Sequence, residues 1–420
     1  MVFPCGSEIA LEIHRSLQYS THFNVIGASS VNDHGKFVYE NYIGDIPFHD
    51  HKDFIPQLQE IVKTYKIDAI YPAMDLVALT LKKNESSLGC RVVGSSVMGN
   101  EICVSKAKTY EFFENTIPVP KIYKDTNSAV YPLFIKPIVG YGSRNTLKAF
   151  NQIQTEAFFE NDKNVDDFLL CEYLSGDEYT IDCFSDRYGA LRFSKTRRRN
   201  RVSNGISVNT IEDSKYQVLF TEYANKINDI LKPRGAWFFQ MKESQSKEPK
   251  LLEIAARLGG SSSLFRAKGV NFAMLSLFDA FDMDVQIVEN AYSVELDRAL
   301  TNRYKSDIFF KRVYVDYDDC MIISERVNTQ LIAFLYKAIN NGIKISLLTR
   351  HTGNLEESLR KYRLSTLFDE IIHIDKKEKK SDFIDSKDAI FIDDSFQERE
   401  DVFLRHNIAV YAPDMVEVLL

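Results

Sequence analysis

The chain contains 420 residues, of which 45% are hydrophobic and 26% are charged, and its formal net charge is −7. At about 150 residues per domain, this length predicts roughly three domains, each large enough to form a core. The acidic balance argues against a general nucleic-acid-binding surface, and the absence of any run of about 18 apolar residues argues against a membrane-spanning helix.

Six cysteines are scattered along the chain without a C-x-x-C spacing. That distribution indicates reduced thiols in a cytoplasmic protein rather than disulfides or a zinc site. The segment Met1–Leu17 carries acidic side chains and no long apolar core, so it lacks the pattern of a signal peptide. We expect small-molecule partners and neither a nucleic-acid nor a membrane partner, and the sequence leaves a homo-oligomer open.

Residues 1–103 alternate between short apolar runs and segments with helical spacing. The predicted strands are Met1–Phe3, Phe23–Gly27, Ala69–Tyr71 and Arg91–Val93. Such alternation predicts an α/β domain with a parallel sheet and crossover helices. Gly6 and Ser7 follow the first strand, where they could bind an anion at a helix N-terminus or form a tight turn with a serine cap.

Residues 104–303 begin with Ser105, a predicted N-cap, and Lys106. The apolar strand Leu133–Ile135 then leads to Lys136, and a loop with Gly140, Gly142 and Ser143 follows. A cation beside exposed backbone N–H groups suits a polyphosphate, because glycine removes the Cβ and lysine contributes a point charge. A strand followed by a flexible turn is the alternative.

Two strands are predicted at 168–174 and 178–184, joined by a turn at Ser175–Asp177 in a hairpin-like unit. Beside a nucleotide, backbone N–H and C=O groups at such a turn can recognise adenine, while a carboxylate accepts hydrogen bonds from ribose hydroxyls. The candidates are Glu172, Tyr173, Leu174 and Glu178.

Lys195–Arg201 concentrates five cations in seven residues. In a strand, alternate arginines point to one face, and only those could reach a phosphate. The sequence does not decide which face this is. Gln240 and Glu253 lie in two further apolar strands, where unpaired burial would be costly, and their oxygens suit Mg²⁺ beside a triphosphate. Arg257 leads into a small-residue loop that could hold a second anion.

These motifs, in this order and spacing, resemble an ATP-grasp ligase over roughly residues 1–300. The resemblance implies that a carboxylate is activated as an acyl phosphate, which an amine then attacks. It implies the following ligands: Lys106, Lys136 and the loop with Gly142 and Ser143 for ATP phosphates, residues 172–174 for adenine, Glu178 for ribose, and Gln240 and Glu253 for Mg²⁺.

By the same resemblance, Arg257 and one of Arg197–Arg201 would steady the transferring phosphoryl group. Many family members carry asparagine where this chain has Ala255, so the usual asparagine ligand of a second Mg²⁺ is missing. Asn145 stands where glycine is common and must adopt the backbone angles of that glycine, which asparagine tolerates better than most residues.

Residues 304–420 carry a second pattern. The stretch Phe309–Met321 is predicted to be a strand that ends in three carboxylates, of which Asp316 and Asp318 can both face a metal. The strand Ile343–Leu348 presents Thr349 at its end, and Ala389–Ile392 presents Asp393 and Asp394. In open α/β sheets, ligands bind at the carboxyl ends of the strands. Clustered carboxylates at such an edge cost energy unless a cation bridges them, which predicts a metal site.

This pattern resembles the haloacid-dehalogenase (HAD) phosphatase superfamily, over about 110 residues. The resemblance implies Asp316 as the phosphoryl-accepting nucleophile and Asp318 as the general acid/base. Thr349 and Lys380 would bind phosphoryl oxygens, with Lys376, Lys377 and Lys379 as alternatives to Lys380. Mg²⁺ would be held among Asp316, Asp318, Asp393 and Asp394. No cap domain fits between these motifs, so we expect an open site.

The expected fold is therefore a multidomain α/β and α+β protein. It comprises an α/β domain that precedes ATP-grasp (1–103), an ATP-grasp domain (104–303), and a doubly wound, capless HAD-like domain (304–420). The main hypothesis is an ATP- and Mg²⁺-dependent carboxylate–amine ligase fused to a Mg²⁺-dependent phosphatase acting on a related phosphorylated metabolite. Two alternatives are a ligase with a non-catalytic HAD docking domain and a phosphatase with an ATP-binding regulatory half.

Overall fold

A computed structural model describes residues 1–140, 142, 144–160 and 163–420. The chain divides into two compact units, Met1–Leu300 and Thr301–Leu420. Across the described parts of the chain, every helix is too short or too polar to cross a membrane.

The first unit begins with a five-stranded parallel sheet. Its strands are β1 (Val2–Phe3), β2 (Ile26–Ala28), β3 (Asn41–Ile43), β4 (Ala69–Pro72) and β5 (Arg91–Val92), in the order β3-β2-β1-β4-β5. Its helices are α1 (Glu8–Leu17), α2 (Gly35–Val38), α3 (Phe54–Tyr65), α4 (Asp75–Lys83) and α5 (Glu85–Leu88). The predicted α/β alternation is confirmed. The second strand begins three residues later than predicted, and Phe23 packs instead against the rings of Phe278 and Phe281, at 5.4 and 6.0 Å.

Two helices, α6 (Val97–Val104) and α7 (Lys106–Phe113), lead to a small antiparallel sheet. Ser105 caps α7, since its Oγ accepts a hydrogen bond from Lys108 N at 3.3 Å, which confirms the predicted N-cap. The sheet contains β6 (Ile122–Tyr123), β7 (Leu133–Pro137), β8 (Leu147–Ala149) and β9 (Phe168–Glu172) in the order β6-β9-β7-β8. Helix α8 (Gln152–Phe159) and a 3₁₀ turn (Val165–Asp167) connect β8 to β9.

A six-stranded antiparallel sheet completes the first unit. Its strands are β10 (Glu178–Ser185), β11 (Leu191–Ser203), β12 (Ile206–Glu212), β13 (Gly235–Glu243), β14 (Pro249–Ala255) and β15 (Glu295–Asp297), in the order β14-β13-β10-β11-β12-β15. Helices α9 (Gln217–Leu231), α10 (Ser263–Ala267) and α11 (Phe272–Ala280) connect them.

The predicted hairpin of residues 168–184 is wrong, because β9 and β10 belong to different sheets. The turn between them is held by β13: Gly176 N donates to Glu243 O, and Glu243 N donates to Asp177 O, both at 2.9 Å. The chain therefore crosses from the small sheet to the large one at this turn.

Side chains alternate between the two faces of the large sheet. The first face packs against α9, and the other face buries apolar side chains such as Phe184 and Ala236 in a separate core. Ile181 and Phe239 are fully buried on the first face, where they pack in one core with Phe220 of α9. On the other face, neighbouring strands align Glu253 with Gln240 and Gln240 with Thr180. A row of polar groups therefore crosses the sheet on the face turned away from α9.

The second unit is a doubly wound α/β domain, as predicted. Its five strands are parallel and comprise β16 (Arg312–Val315), β19 (Lys344–Thr349), β20 (Glu370–His373), β21 (Ala389–Ile392) and β22 (Ala409–Tyr411), in the order β20-β19-β16-β21-β22. A short hairpin of β17 (Ile322–Ile323) and β18 (Arg326–Val327) follows β16. The helices are α12 (Thr329–Asn340), α13 (Leu355–Lys361) and α14 (Phe396–His406), with 3₁₀ turns at Lys380–Phe383 and Pro413–Leu419.

Both faces of this sheet are covered. Val313 packs in one core with Leu331 and Leu335 of α12, whereas Tyr314, its neighbour along β16, packs with Val402 of α14. Burial on both faces explains why β21 is a continuous apolar run rather than an alternating one.

Candidate active sites

A cavity of about 750 Å³ in the first unit is lined by residues of both the small and the large antiparallel sheet. The small sheet contributes Phe134 and Lys136, and the large sheet contributes Glu178, Gln240 and Glu253. This volume lies within the usual range for cofactor and small-molecule sites.

Two lysines reach this cavity from different elements. Lys136, on β7, is only 6% exposed, and its Nζ donates to the hydroxyl of Tyr110. Lys106, at the start of α7, donates from Nζ to Gly140 O at 2.9 Å. Burial lowers the pKa of both lysines. A polyphosphate in the cavity would stabilise their charged forms, since an opposite charge offsets the cost of burial.

The glycine loop also lines the cavity, through Gly140 and Gly142. Gly142 has a φ of +63°, a conformation that disfavours side chains with a Cβ. Asn145 has a φ of +53°, so it adopts the left-handed backbone angles predicted for it. Ser143, predicted to bind the nucleotide, lies outside the described residues.

The predicted adenine and ribose residues divide into two groups. Tyr173, Leu174 and Glu178 line the cavity. The carboxylate of Glu172 is instead engaged with Lys250 Nζ at 2.5 Å and with Lys121 N at 3.0 Å. Its backbone N–H also donates to Lys121 O at 2.9 Å, and Glu172 is not among the described residues that line the cavity. Glu172 therefore holds neighbouring segments together.

Gln240 and Glu253 face each other across β13 and β14, and both line the cavity. Gln240 Oε1 accepts a hydrogen bond from Arg199 Nη1 at 2.9 Å. The same guanidinium pairs with Glu178 and donates to Gly205 O at 2.7 Å. One carboxylate and one amide oxygen, side by side on paired strands, are suitable ligands for a single Mg²⁺, which fills its remaining positions with phosphate and water.

The structure separates the arginines of β11. Arg197 is buried in an ion pair with Asp182, with Nε 2.6 Å from Oδ2, and Arg201 pairs with the exposed Asp297 at 2.7 Å. Arg198 and Arg199 both line the cavity, and Arg198 Nε also lies 3.5 Å from Asp213 Oδ2. The guanidinium of Arg199 is the one bound to Glu178 and Gln240.

Arg257, predicted to steady the phosphoryl group, is not among the described residues that line the cavity. Its Nη2 pairs with Asp75 at 2.8 Å, and its guanidinium lies over the ring of Phe238 at 5.4 Å. Arg257 therefore connects the large sheet to α4 in this structure.

In the second unit, the strand ends bring the predicted residues to one edge of the sheet. Asp316 follows β16, Thr349 is the last residue of β19, and Asp393 follows β21. Lys380 Nζ lies 2.8 Å from Asp316 Oδ1 and 2.6 Å from Asp393 Oδ2, and all three residues are buried. A buried lysine thus bridges two buried carboxylates.

Asp316, Asp393 and Asp394 each place a carboxylate oxygen within 4.8 Å of the others. Burial and the charge of Asp316 raise the pKa of Asp393, and burial raises the pKa of Asp316. Burial alone would lower the pKa of Lys380, but the two carboxylates raise it overall. Three oxygen donors from this set fit a divalent cation such as Mg²⁺.

The lysines around Lys380 occupy different environments. Lys379 pairs with Asp401 at 3.3 Å, and Lys376 and Lys377 are exposed. Of these four predicted alternatives, Lys380 alone contacts Asp316 or Asp393 among the described ion pairs.

Asp318 is placed apart from the three clustered carboxylates. Both of its oxygens lie 3.0 Å from Nδ1 of His351, and its side chain is 52% exposed. The geometry thus gives Asp318 a histidine partner, and its predicted metal ligation stays a prediction. Sequence reasoning missed His351, although its position two residues after Thr349 places it at the same sheet edge.

Arg399 was also missed. Its Nη1 donates to the backbone oxygens of Asp393 and Asp394, at 2.6 and 2.7 Å. These bonds hold the loop that carries the two carboxylates. In the sequence, only the presence of an arginine one turn after the start of α14 could have indicated this contact with the Asp393–Asp394 loop.

Residues 164–302 match the family model described as ATP-grasp in the biosynthetic pathway with Ter operon. This segment includes the turn at 175–177, the whole large sheet, and the cavity residues Glu178, Arg199, Gln240 and Glu253. The match and the architecture around the cavity establish an ATP-grasp fold in the chain. The matched segment ends at residue 302, so the roles of the C-terminal residues rest on their geometry.

Several solved structures share the fold. N5-carboxyaminoimidazole synthetase from Staphylococcus aureus, complexed with ADP, is 16% identical, with a TM-score of 0.59 over 70% of this chain and 80% of that chain. A β-γ-ATP complex of biotin carboxylase from Campylobacter jejuni is 14% identical, with a TM-score of 0.56 over 67% and 70%. L-amino acid ligase from Bacillus licheniformis is 16% identical, with a TM-score of 0.53 over 66% and 73%. No curated protein sequence matches the chain.

Proposed function

We propose that the first unit is an ATP- and Mg²⁺-dependent ligase that activates a carboxylate as an acyl phosphate for attack by an amine. The observation that carries this proposal is the convergence of Lys106, Lys136, Gln240 and Glu253 on one cavity of about 750 Å³. Lysines suit phosphate oxygens, and the paired oxygen donors suit the accompanying cation. The nucleotide complexes of two structures with this fold support the same ligand.

In the proposed reaction, an oxygen of the substrate carboxylate attacks the γ-phosphorus of ATP, and ADP leaves. The amine nitrogen then attacks the acyl carbon, loses a proton and expels inorganic phosphate. Lys106 and Lys136 bind the phosphate oxygens, and Arg199 offers N–H donors to the transferring group. Glu178 accepts hydrogen bonds from the ribose. Gln240 and Glu253 would hold Mg²⁺, which would supply positive charge to offset the charge of the phosphates.

The test measures ADP release from the full chain with ATP and Mg²⁺ across pools of candidate acids and amines. We expect a pool-dependent signal that Lys136→Ala abolishes. Lys108→Ala is the control for loss of a lysine outside the site, because Lys108 is exposed and is not among the described residues that line the cavity. ADP release that requires no acid, or that survives Lys136→Ala, would contradict the ligase.

We also propose that the second unit is a Mg²⁺-dependent phosphohydrolase of the HAD type. The observation that carries it is the buried lysine that bridges Asp316 and Asp393 beside the three clustered carboxylates. An Asp316 oxygen would attack the phosphorus of a phosphomonoester, and Asp318 would give a proton to the leaving oxygen. Water would then attack the aspartyl phosphate and release phosphate. Lys380 and Thr349 would bind the phosphoryl oxygens.

Phosphate release from p-nitrophenyl phosphate and from pooled phosphomonoesters tests this second activity. We expect Asp316→Asn to abolish it and Asp319→Asn to preserve it, since Asp319 is exposed and outside the carboxylate cluster. No Asp316-dependent release would favour a docking role for this unit. Phosphate release without any ligase signal would favour an ATP-binding regulatory role for the first unit.

A further inference from the structure

Arg199 has a buried side chain, and its guanidinium donates a hydrogen bond to Gln240, one of the two candidate metal ligands. Its side chain is 5% exposed, yet the residue lines the cavity. Glu178, Gly205 O and Gln240 Oε1 hold its two terminal nitrogens. Its Nε has no hydrogen-bond partner among the described residues. Because that atom is buried, the donor available to a bound ligand lies on Nη2: each terminal nitrogen carries two N–H groups, and the described hydrogen bonds use two on Nη1 and one on Nη2.

The candidate metal ligands next to Arg199 are few. Glu253 is the only carboxylate of the pair, and the amide oxygen of Gln240 already accepts a hydrogen bond from the guanidinium. Ala255, further along β14, pairs with Phe238 and offers no side-chain ligand. Glu178, a further carboxylate of the cavity, already pairs with Arg199 and Lys242. A second divalent ion beside Glu253 would therefore lie next to a fixed positive charge.

Charge balance in the cavity points the same way. Among the described lining residues, six side chains are cationic and three are carboxylates, a net of three positive charges. The cations are Lys106, Lys136, Arg144, Arg198, Arg199 and Lys242, and the carboxylates are Asp177, Glu178 and Glu253. A nucleoside triphosphate with one divalent ion nearly balances this charge. A second divalent ion would restore a large positive excess.

We propose that this site binds the nucleotide with one divalent cation, and that the guanidinium of Arg199 supplies the positive charge of a second. The inference rests on the proposed nucleotide-dependent function. Arginine suits this role because it stays charged at all relevant pH values and its planar donors match phosphate oxygens. Its position is set by the bonds to Glu178 and Gly205, so little reorganisation is needed when phosphate arrives.

The test counts bound Mn²⁺, an EPR-visible substitute for Mg²⁺, on the full chain with and without a non-hydrolysable ATP analogue. The carboxylates of the C-terminal unit also offer a Mn²⁺ site, so the measured quantity is the increment caused by the analogue. One additional Mn²⁺ per bound analogue supports the inference. Two additional ions would overturn it while leaving the proposed ligase intact. A chain that does not bind the analogue would refute both.

Two variants examine Arg199 itself. In Arg199→Gln, we expect the analogue to bind at least about tenfold more weakly at fixed Mn²⁺, or to recruit a second Mn²⁺. Arg199→Lys should keep the increment at one, with an intermediate affinity, because it retains the charge but loses the planar donors. Arg201→Gln is the matched control on the same strand, since Arg201 is 60% exposed and pairs with Asp297. Wild-type affinity and one Mn²⁺ in Arg199→Gln would overturn the assignment.

Discussion

Replacement of Lys136 by methionine tests the nucleotide site most directly. Methionine keeps most of the side-chain volume next to Tyr110 but removes the charge. Lys136 is only 6% exposed, so its interaction with a polyphosphate is weakly screened by solvent. A hydrogen bond to a charged group contributes about 1.5–3 kcal/mol, and each 1.4 kcal/mol is about tenfold in affinity. We expect Lys136→Met to bind a non-hydrolysable ATP analogue roughly 10- to 150-fold more weakly in calorimetric titrations.

The pH dependence provides a second readout of the same variant. Burial lowers the pKa of Lys136, so the free protein loses this charge at a lower pH than an exposed lysine does. Analogue affinity should therefore fall as pH rises through that lowered pKa. The slope should be smaller in Lys136→Met but not zero, because burial also lowers the pKa of Lys106. Affinity within about threefold of the wild type, with an unchanged slope, would refute a phosphate-binding role for Lys136.

Three further predictions concern buried charges. Asp182→Asn should destabilise the first unit by about 3–5 kcal/mol in thermal unfolding, because it leaves the 3%-exposed Arg197 without its carboxylate partner. The double variant Asp182→Asn/Arg197→Met should recover part of that lost stability, because it also removes the buried charge. Burial alone would raise the pKa of Glu243, but hydrogen bonds from Lys215 and other donors lower this pKa to about 2. The ionised carboxylate should therefore stabilise the fold above the usual glutamate pKa, and this stabilisation should be lost as pH falls toward 2. In denaturant titrations, the difference in unfolding free energy between the wild type and Glu243→Gln should shrink to zero over that pH range. Lys380→Met should lower phosphate release at saturating Mg²⁺ by at least about a hundredfold, and the same change at the exposed Lys376 should not.

Sequence patterns predicted the residues whose position follows from strand periodicity alone. Lys136 follows an apolar strand, and Gln240 and Glu253 interrupt two others, so alternation places each on a definite face. In the second unit, parallel strands end at one edge, which brings Asp316 and Asp393 together. These inferences required no knowledge of how distant segments pair.

The remaining features depend on pairing that no local pattern contains. Arg197 and Arg199 have the same alternation, yet the first meets Asp182 and the second meets Glu178 and Gln240, because register across three strands decides their partners. The hairpin prediction failed for a similar reason. The turn at 175–177 bonds to Glu243, far along the chain, and this contact sends the two strands into different sheets.

The two candidate sites have opposite charge balances, and this difference bears on how each would use a metal. The cavity of the first unit has an excess of cations among its described lining residues, so it can attract a polyphosphate before any divalent ion is counted. The cluster in the second unit has three carboxylates and the single bridging Lys380, a net negative charge. A phosphomonoester would be repelled there until a divalent ion neutralises the cluster. Removal of Mg²⁺ should therefore abolish phosphomonoester binding at the second site but only weaken nucleotide binding at the first.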